Sequence, residues 1–186
     1  MMVLIVLIVI AVVVGLIVIS LYNSLVTARN EVKNSWSQID VQLNRRHDLI
    51  PNLVETVKGY MNHERQTLEA VTAARQQAVN LTGASVEDKA RVENALSQTL
   101  KSLFAVAESY PDLKANQNFL ALQEELTSTE NKISFARQYY NDSVMRLNNR
   151  IQVFPTNILA GMFNFTESQF FAVESAEARQ PVAVKF

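Results

Sequence analysis

The chain has 186 residues, with 17 Lys and Arg against 18 Asp and Glu, and this even balance supplies no basic stripe for nucleic acid. It has no cysteine, which excludes disulfides, thiolate metal sites and cysteine nucleophiles. Only four Gly and four Pro are present, so turns are few and the helices between them are long.

Residues 1–24 are the first predicted element. MMVLIVLIVIAVVVGLIVISLY carries no charged side chain, and none occurs before Arg29. At about 1.5 Å per residue the run makes a helix of roughly 33 Å, matched to a hydrocarbon core of about 30 Å. It is apolar on every side, whereas a soluble helix hides one face, so lipid is its expected solvent. Tyr22 falls where an interfacial aromatic belongs. A cleaved signal peptide competes with this reading, with Val26-Thr27-Ala28 as the small-residue cleavage site. Against it, no Lys or Arg precedes the run, which is about twice the ~7–15 residue core of a signal. The chain therefore reads as a single-pass, membrane-tethered domain. Arg29, Lys33, Arg45 and Arg46 follow the span, and the positive-inside rule favours a cytoplasmic C-terminal domain.

Residues 25–154 read as a long antiparallel bundle of about three helices. Along the first arm, Leu25 to about Asn80, the residues Trp36, Ile39, Leu43, Ile50, Leu53, Val54, Val57, Met61, Leu68 and Val71 form one apolar stripe. Pro51 predicts a kink or a restart capped by Asp48. Continuous with the anchor, this arm would be a helix of about 75 residues, roughly 110 Å long. Gly83 is placed to take a positive φ at the first turn, and Ser85 with Asp88 resembles a capping box. A second arm runs from about Val86 to Tyr110, where Pro111 stops it. A third, from about Asp112 to Phe154, carries Phe119, Leu126, Ile133, Tyr140, Leu147 and Phe154 at intervals of seven. Leu122, Thr129 and Ala136 fill the alternate positions. Pro155 ends this arm.

Residues 155–186 form an aromatic-rich tail, expected as one or two short helices folded back on the bundle. Phe163, Phe165, Phe170 and Phe171 are too many to leave in water together. They are expected to close the bundle's open end, or else to meet a neighbouring subunit or the bilayer. No segment alternates with period two, so the fold class is all-α.

No chemistry assembles along the chain. His63-Glu64 begins a zinc-protease pair, but the second His would stand at Thr67. A di-iron bundle needs Glu three residues before His, and Asn44 and Tyr60 stand before His47 and His63. Both histidines read as surface imidazoles. The glycines are too scattered for a phosphate loop, and there is no G-x-S-x-G elbow. No catalytic, cofactor-binding or metal residue emerges. The densest polar cluster, Arg45, Arg46, Asp48 and Glu55, reads either as a solvated helix face or as a set of subunit contacts.

Around that cluster, NEVKNSWSQIDVQLNRRHDLIPNLVETVKGYMNHERQTLEAVTAAR resembles the signature region of the LemA family of bacterial membrane-anchored helical proteins. The likeness continues through ESYPDLKANQNFLALQEELTSTENKISFARQYYNDSV and RIQVFPTNILAGMFNFTESQFF. The resemblance implies a single-pass protein of the bacterial inner membrane with a long helical bundle, and no assigned catalysis, cofactor or substrate. The expectation is a non-enzymatic scaffold or organiser that self-assembles at the membrane surface. The alternative is a module presenting a partner-, peptide- or lipid-binding groove to another membrane protein. Anchored copies share one orientation, which favours a homo-oligomeric ring over a dimer. Ala11 and Gly15 would allow close approach of anchor helices.

Overall fold

The computed structural model describes residues 1–61, 63–81 and 83–171, and every regular element among them is helical. α1 spans Met2–Lys58, α2 Arg65–Val79, α3 Val86–Ala107, α4 Pro111–Lys114, α5 Gln117–Gln152 and α6 Thr156–Met162. The chain is thus all-α, with long helices and a short one near the C-terminus. It divides into two compact units, Met1–Asp40 with Phe135–Phe170, and Val41–Ser134 joined among described residues by Phe171. The long helices α1 and α5 each contribute a part to both.

In the first unit the apolar run has no protein neighbour. Met1 to Ser20 is exposed at almost every position, and an 18-residue window of mean hydropathy 3.7 has no part buried. From Leu25 onward α1 gains a buried face, with Leu25, Ala28, Val32 and Ile39 out of water. α5 runs antiparallel beside it. Arg146 donates to Glu31 Oε1 at 2.7 Å, and Arg150 donates to the carbonyl of Ser24 at 2.7 Å. Trp36 meets Tyr140 edge to face at 5.3 Å between ring centres. α6 folds back onto α1, where Leu159, Ala160 and Phe165 close on Leu25. Asn164, at φ 54°, turns the chain after α6, a conformation Asn tolerates better than most residues.

In the second unit the rest of α1 packs with α2, α3, α4 and the start of α5. Ile50, Leu53, Val57, Met61, Val71, Leu96, Leu103, Leu113, Phe119 and Leu126 lie in one core. The expected restart near Asp48 does not occur, because α1 continues through Pro51 to Lys58. Pro51 has no N–H for the carbonyl of His47 four residues back. Arg75 of α2 supplies the missing donor, its Nε 2.7 Å from that oxygen. The chain breaks instead at Gly59–Glu64, so the helix of about 75 residues is not formed. The apolar spacing hid this break, since Val57, Met61, Leu68 and Val71 are all buried on either side of it.

The second turn is as expected. Gly83 has φ +78°, and Ser85 Oγ accepts the N–H of Asp88 at 3.1 Å while donating to Asp88 Oδ2 at 2.8 Å. Asn116 Oδ1 accepts the N–H of Phe119 at 3.0 Å and so fixes the start of α5. The heptad residues from Phe119 to Leu147 are buried. Its sixth member is not. Phe154 lies beyond α5 and is 79% exposed, because the helix ends two residues earlier. In the tail, Phe165 and Phe171 are buried whereas Phe163 and Phe170 are half exposed. The remainder, from 172 to 186, lies outside the described residues.

Replacing Arg75 by Ala leaves the His47 carbonyl without its donor. Stability should fall by about 1–2 kcal/mol in urea titrations followed by circular dichroism. Adding Pro51→Ala restores a backbone N–H, and should recover most of that loss. Additive effects in the double mutant would show that the two residues do not share the carbonyl.

Candidate functional site

The densest polar constellation lies in the second unit, where α1, α3 and α5 meet. Arg46 is 1% exposed. It occupies an interior position by spacing, since Ile39, Leu43, Arg46, Ile50, Leu53 and Val57 follow one another at gaps of three and four. Glu93 does the same on α3, ahead of Leu96, Leu100, Leu103 and Ala107. Two opposite charges are therefore carried into the core by the apolar faces of their helices.

There they meet. Arg46 NH2 bonds Glu93 Oε2 and also the Glu93 carbonyl at 3.3 Å. Arg46 NH1 donates to Ser97 Oγ at 2.7 Å and to Glu130 Oε2 at 2.6 Å. Ser97 Oγ donates on to Glu130 Oε1 at 2.8 Å. His47 is buried beside Arg46, with Nε2 3.0 Å from Glu93 Oε1. A carboxylate only accepts, so Nε2 carries the proton in this bond. Burial pushes the Glu93 carboxyl up, but the bond to His47 and the charges of Arg46 and His47 outweigh it. Glu93 is held below its ordinary value near 4.5.

The expectation of two surface imidazoles is therefore corrected for His47, which the core takes in because Glu93 is there to receive it. His63 is exposed, in the turn between α1 and α2. Of the four candidate contact residues, Arg46 is buried and its charge is answered within the chain. Arg45 lies at the surface, 2.6 Å from Glu125. Glu55 is exposed and 3.5 Å from Lys58, and Asp48 is exposed. The cluster thus divides by helix face. Sequence reasoning missed Glu93, Ser97 and Glu130, although a charge on core spacing was the available signal. Arg46 fills the gap between Leu43 and Ile50, and Glu93 stands three residues before Leu96.

As chemistry, the cluster is a clamp rather than a reactive centre, because both terminal nitrogens of Arg46 and the carboxylate of Glu93 are turned onto groups within it, while Arg46 Nε is buried without a partner. Among the described residues no three His, Asp or Glu converge as a metal set. Elsewhere in the same unit, α1 and α2 leave a groove of about 610 Å³. Val54, Met61, Leu68 and Ala73 give it an apolar floor, and Lys58, Arg65 and Glu69 edge it.

An exposed apolar span and a helical domain locked by buried charge define a membrane-associated helical protein. The sequence profile of the LemA family matches residues 35–186, and the chain belongs to that family. It is 28% identical over 168 residues to Protein LemA of Metamycoplasma hominis, covering 84% of this chain and 75% of that protein. It is 23% identical over 179 residues to Magnetosome protein MamQ 2 of Paramagnetospirillum magneticum, covering 83% of this chain and 66% of the relative. Magnetosome protein MamQ of Magnetospirillum gryphiswaldense is 21% identical over 174 residues, with coverages of 81% and 64%. The chain thus spans slightly under two thirds of the magnetosome proteins' length. None of these names is that of an enzyme.

Arg46→Ala strands Glu93 in the core and should cost about 3–5 kcal/mol in urea unfolding. Arg46→Met combined with Glu93→Leu should cost far less than the two single changes added together. Glu93 also sets a pH dependence. Its folded-state carboxyl titrates below its unfolded value, so its contribution is complete above pH 4.5 and is lost as pH falls through the folded value. Urea midpoints measured between neutral and acid pH should decline in that window. Glu93→Gln should flatten the decline.

Proposed function

We propose that the chain is a non-enzymatic organiser, anchored by residues 1–24 in the bacterial inner membrane and self-assembling there through its helical domain. One observation carries this reading. The side chains best suited to chemistry, Arg46, His47 and Glu93, are spent on one another inside the second unit. What that unit offers to other molecules is surface. Relatives named as magnetosome proteins, a name that is not an enzyme's, are in keeping with this reading. The basic residues after the span favour a domain on the cytoplasmic side.

Self-assembly follows from the tether, which gives every copy one orientation and a high local concentration. Such copies close most simply into a ring with side-to-side contacts. Arg45, Asp48 and Glu55 lie exposed on α1 and are the candidate contacts. Arg46 serves instead as the residue that positions the helix bearing them. The groove between α1 and α2 favours a second reading, a module that receives an apolar peptide segment or acyl chain of a partner.

Native mass spectrometry of the full-length protein in mild detergent should show a homo-oligomer of several subunits. A single monomeric species across dilution would reject self-assembly. Reversing the exposed charges, Arg45→Glu with Asp48→Lys, should shrink the assembly without changing helicity. An unaltered mass would make those residues a solvated face.

A further inference from the structure

The end of α5 and the whole of α6 carry an apolar surface that the packing of the first unit leaves uncovered. From Ile151 to Thr166 the sequence has no charged residue. Thr156, Leu159 and Ala160 form the buried face of α6. Ile158 and Met162, four apart, form another face that is apolar yet exposed, at 54% and 69%. Phe154 and Phe163 extend this surface on either side, both at least half exposed. Scattered apolar residues at a surface need no explanation, but a contiguous patch of this kind does.

The position of the patch identifies what covers it. α5 descends α1 in antiparallel register, with Arg146 at Glu31 and Arg150 at Ser24. Continuing that register brings Val153 and Phe154 about level with Leu21 and Ser20, the last turn of the apolar span. α6 stays at this level, since Leu21, Tyr22 and Val26 pack against the cluster of Leu159, Ala160 and Phe165. Phe163 lies 4.8 Å from Tyr22, ring centre to ring centre. The patch is therefore continuous with the stretch of α1 that leaves the hydrocarbon. Arg29 stands over the Phe165 ring at 4.9 Å, which sets a cation about two turns beyond Tyr22, at headgroup height.

We propose that the α5–α6 corner is a second membrane contact, in which Val153, Phe154, Ile158, Met162 and Phe163 enter the interfacial layer of the bilayer that the span crosses. The inference rests on the reading of the apolar run as lipid-embedded. It adds that the domain does not hang from a single helix. A wedge of aromatic and aliphatic side chains beside the span fixes the domain's tilt and rotation about that helix, as interfacial aromatics do.

The chain has no cysteine, so single spin labels can be attached to the full-length protein without removing native thiols. Labels at Phe154 and Ile158 test the corner, one at Val9 reports the span, and one at Glu87 reports water. The protein is placed in nanodiscs of phosphatidylcholine and phosphatidylglycerol, and collisions with oxygen and with a water-soluble nickel chelate are compared. Both corner labels should show an oxygen-to-nickel ratio several-fold above that of Glu87 and below that of Val9. If Val9 lies in lipid while the corner labels collide freely with nickel, the corner is in water and the proposal is overturned. Corner labels shielded from both reagents would mean that protein covers the patch, a second copy included, and would equally overturn it. A Val9 label in water would remove the span, and the corner contact with it.

Discussion

Arg46 brings a permanent charge and five N–H donors to a position with almost no access to water. Left alone there, the charge would cost several kcal/mol, so the helices that bury it must also answer it. α3 does so with the carboxylate and carbonyl of Glu93 and the hydroxyl of Ser97, and α5 with Glu130. The nearby apolar core of leucine, isoleucine and valine would accept small slips of one helix along another. The guanidinium would not, because a shift of one residue on α3 would turn Glu93 away. The network thus sets register where the apolar surface sets only proximity.

The apolar patterns carried the architecture into the sequence legibly. The apolar run was legible because twenty-two residues without a charge, apolar on every side, differ from a helix that buries one face. The turn at Gly83 was legible because a positive φ and a cap at Ser85 are local requirements, settled within a few residues. The break at Gly59–Glu64 was not, since the stripe through Val57, Met61, Leu68 and Val71 keeps its spacing across the turn. Periodicity reports which residues are buried, not whether the backbone between them stays helical. Pro51 misled for the opposite reason. Its local cost was real, but a residue in another helix offsets it.

The clamp was harder to foresee for a related reason. Arg46 was visible as a charge, and its neighbours Arg45, His47 and Asp48 suggested a polar surface. Its partners stand on other helices, 47 and 84 positions along the chain, so no local spacing joins them. The aromatic tail divided in the same way. Its composition showed that water would not hold four phenylalanines together. Only the fold shows that Phe165 turns onto Leu25 while Phe163, across the bend at Asn164, stays open.

The bond between Arg75 and the carbonyl of His47 ties two distant positions into one unit of selection. Arginine at 75 is worth keeping for this bond only while position 51 is proline. Proline at 51 is tolerable only while something at 75 reaches the carbonyl it abandons. A lineage that loses the proline frees α2 to change, and one that loses the arginine first pays until the proline follows. The order of substitutions at these two sites is therefore constrained, although the bond that couples them runs only to a backbone carbonyl.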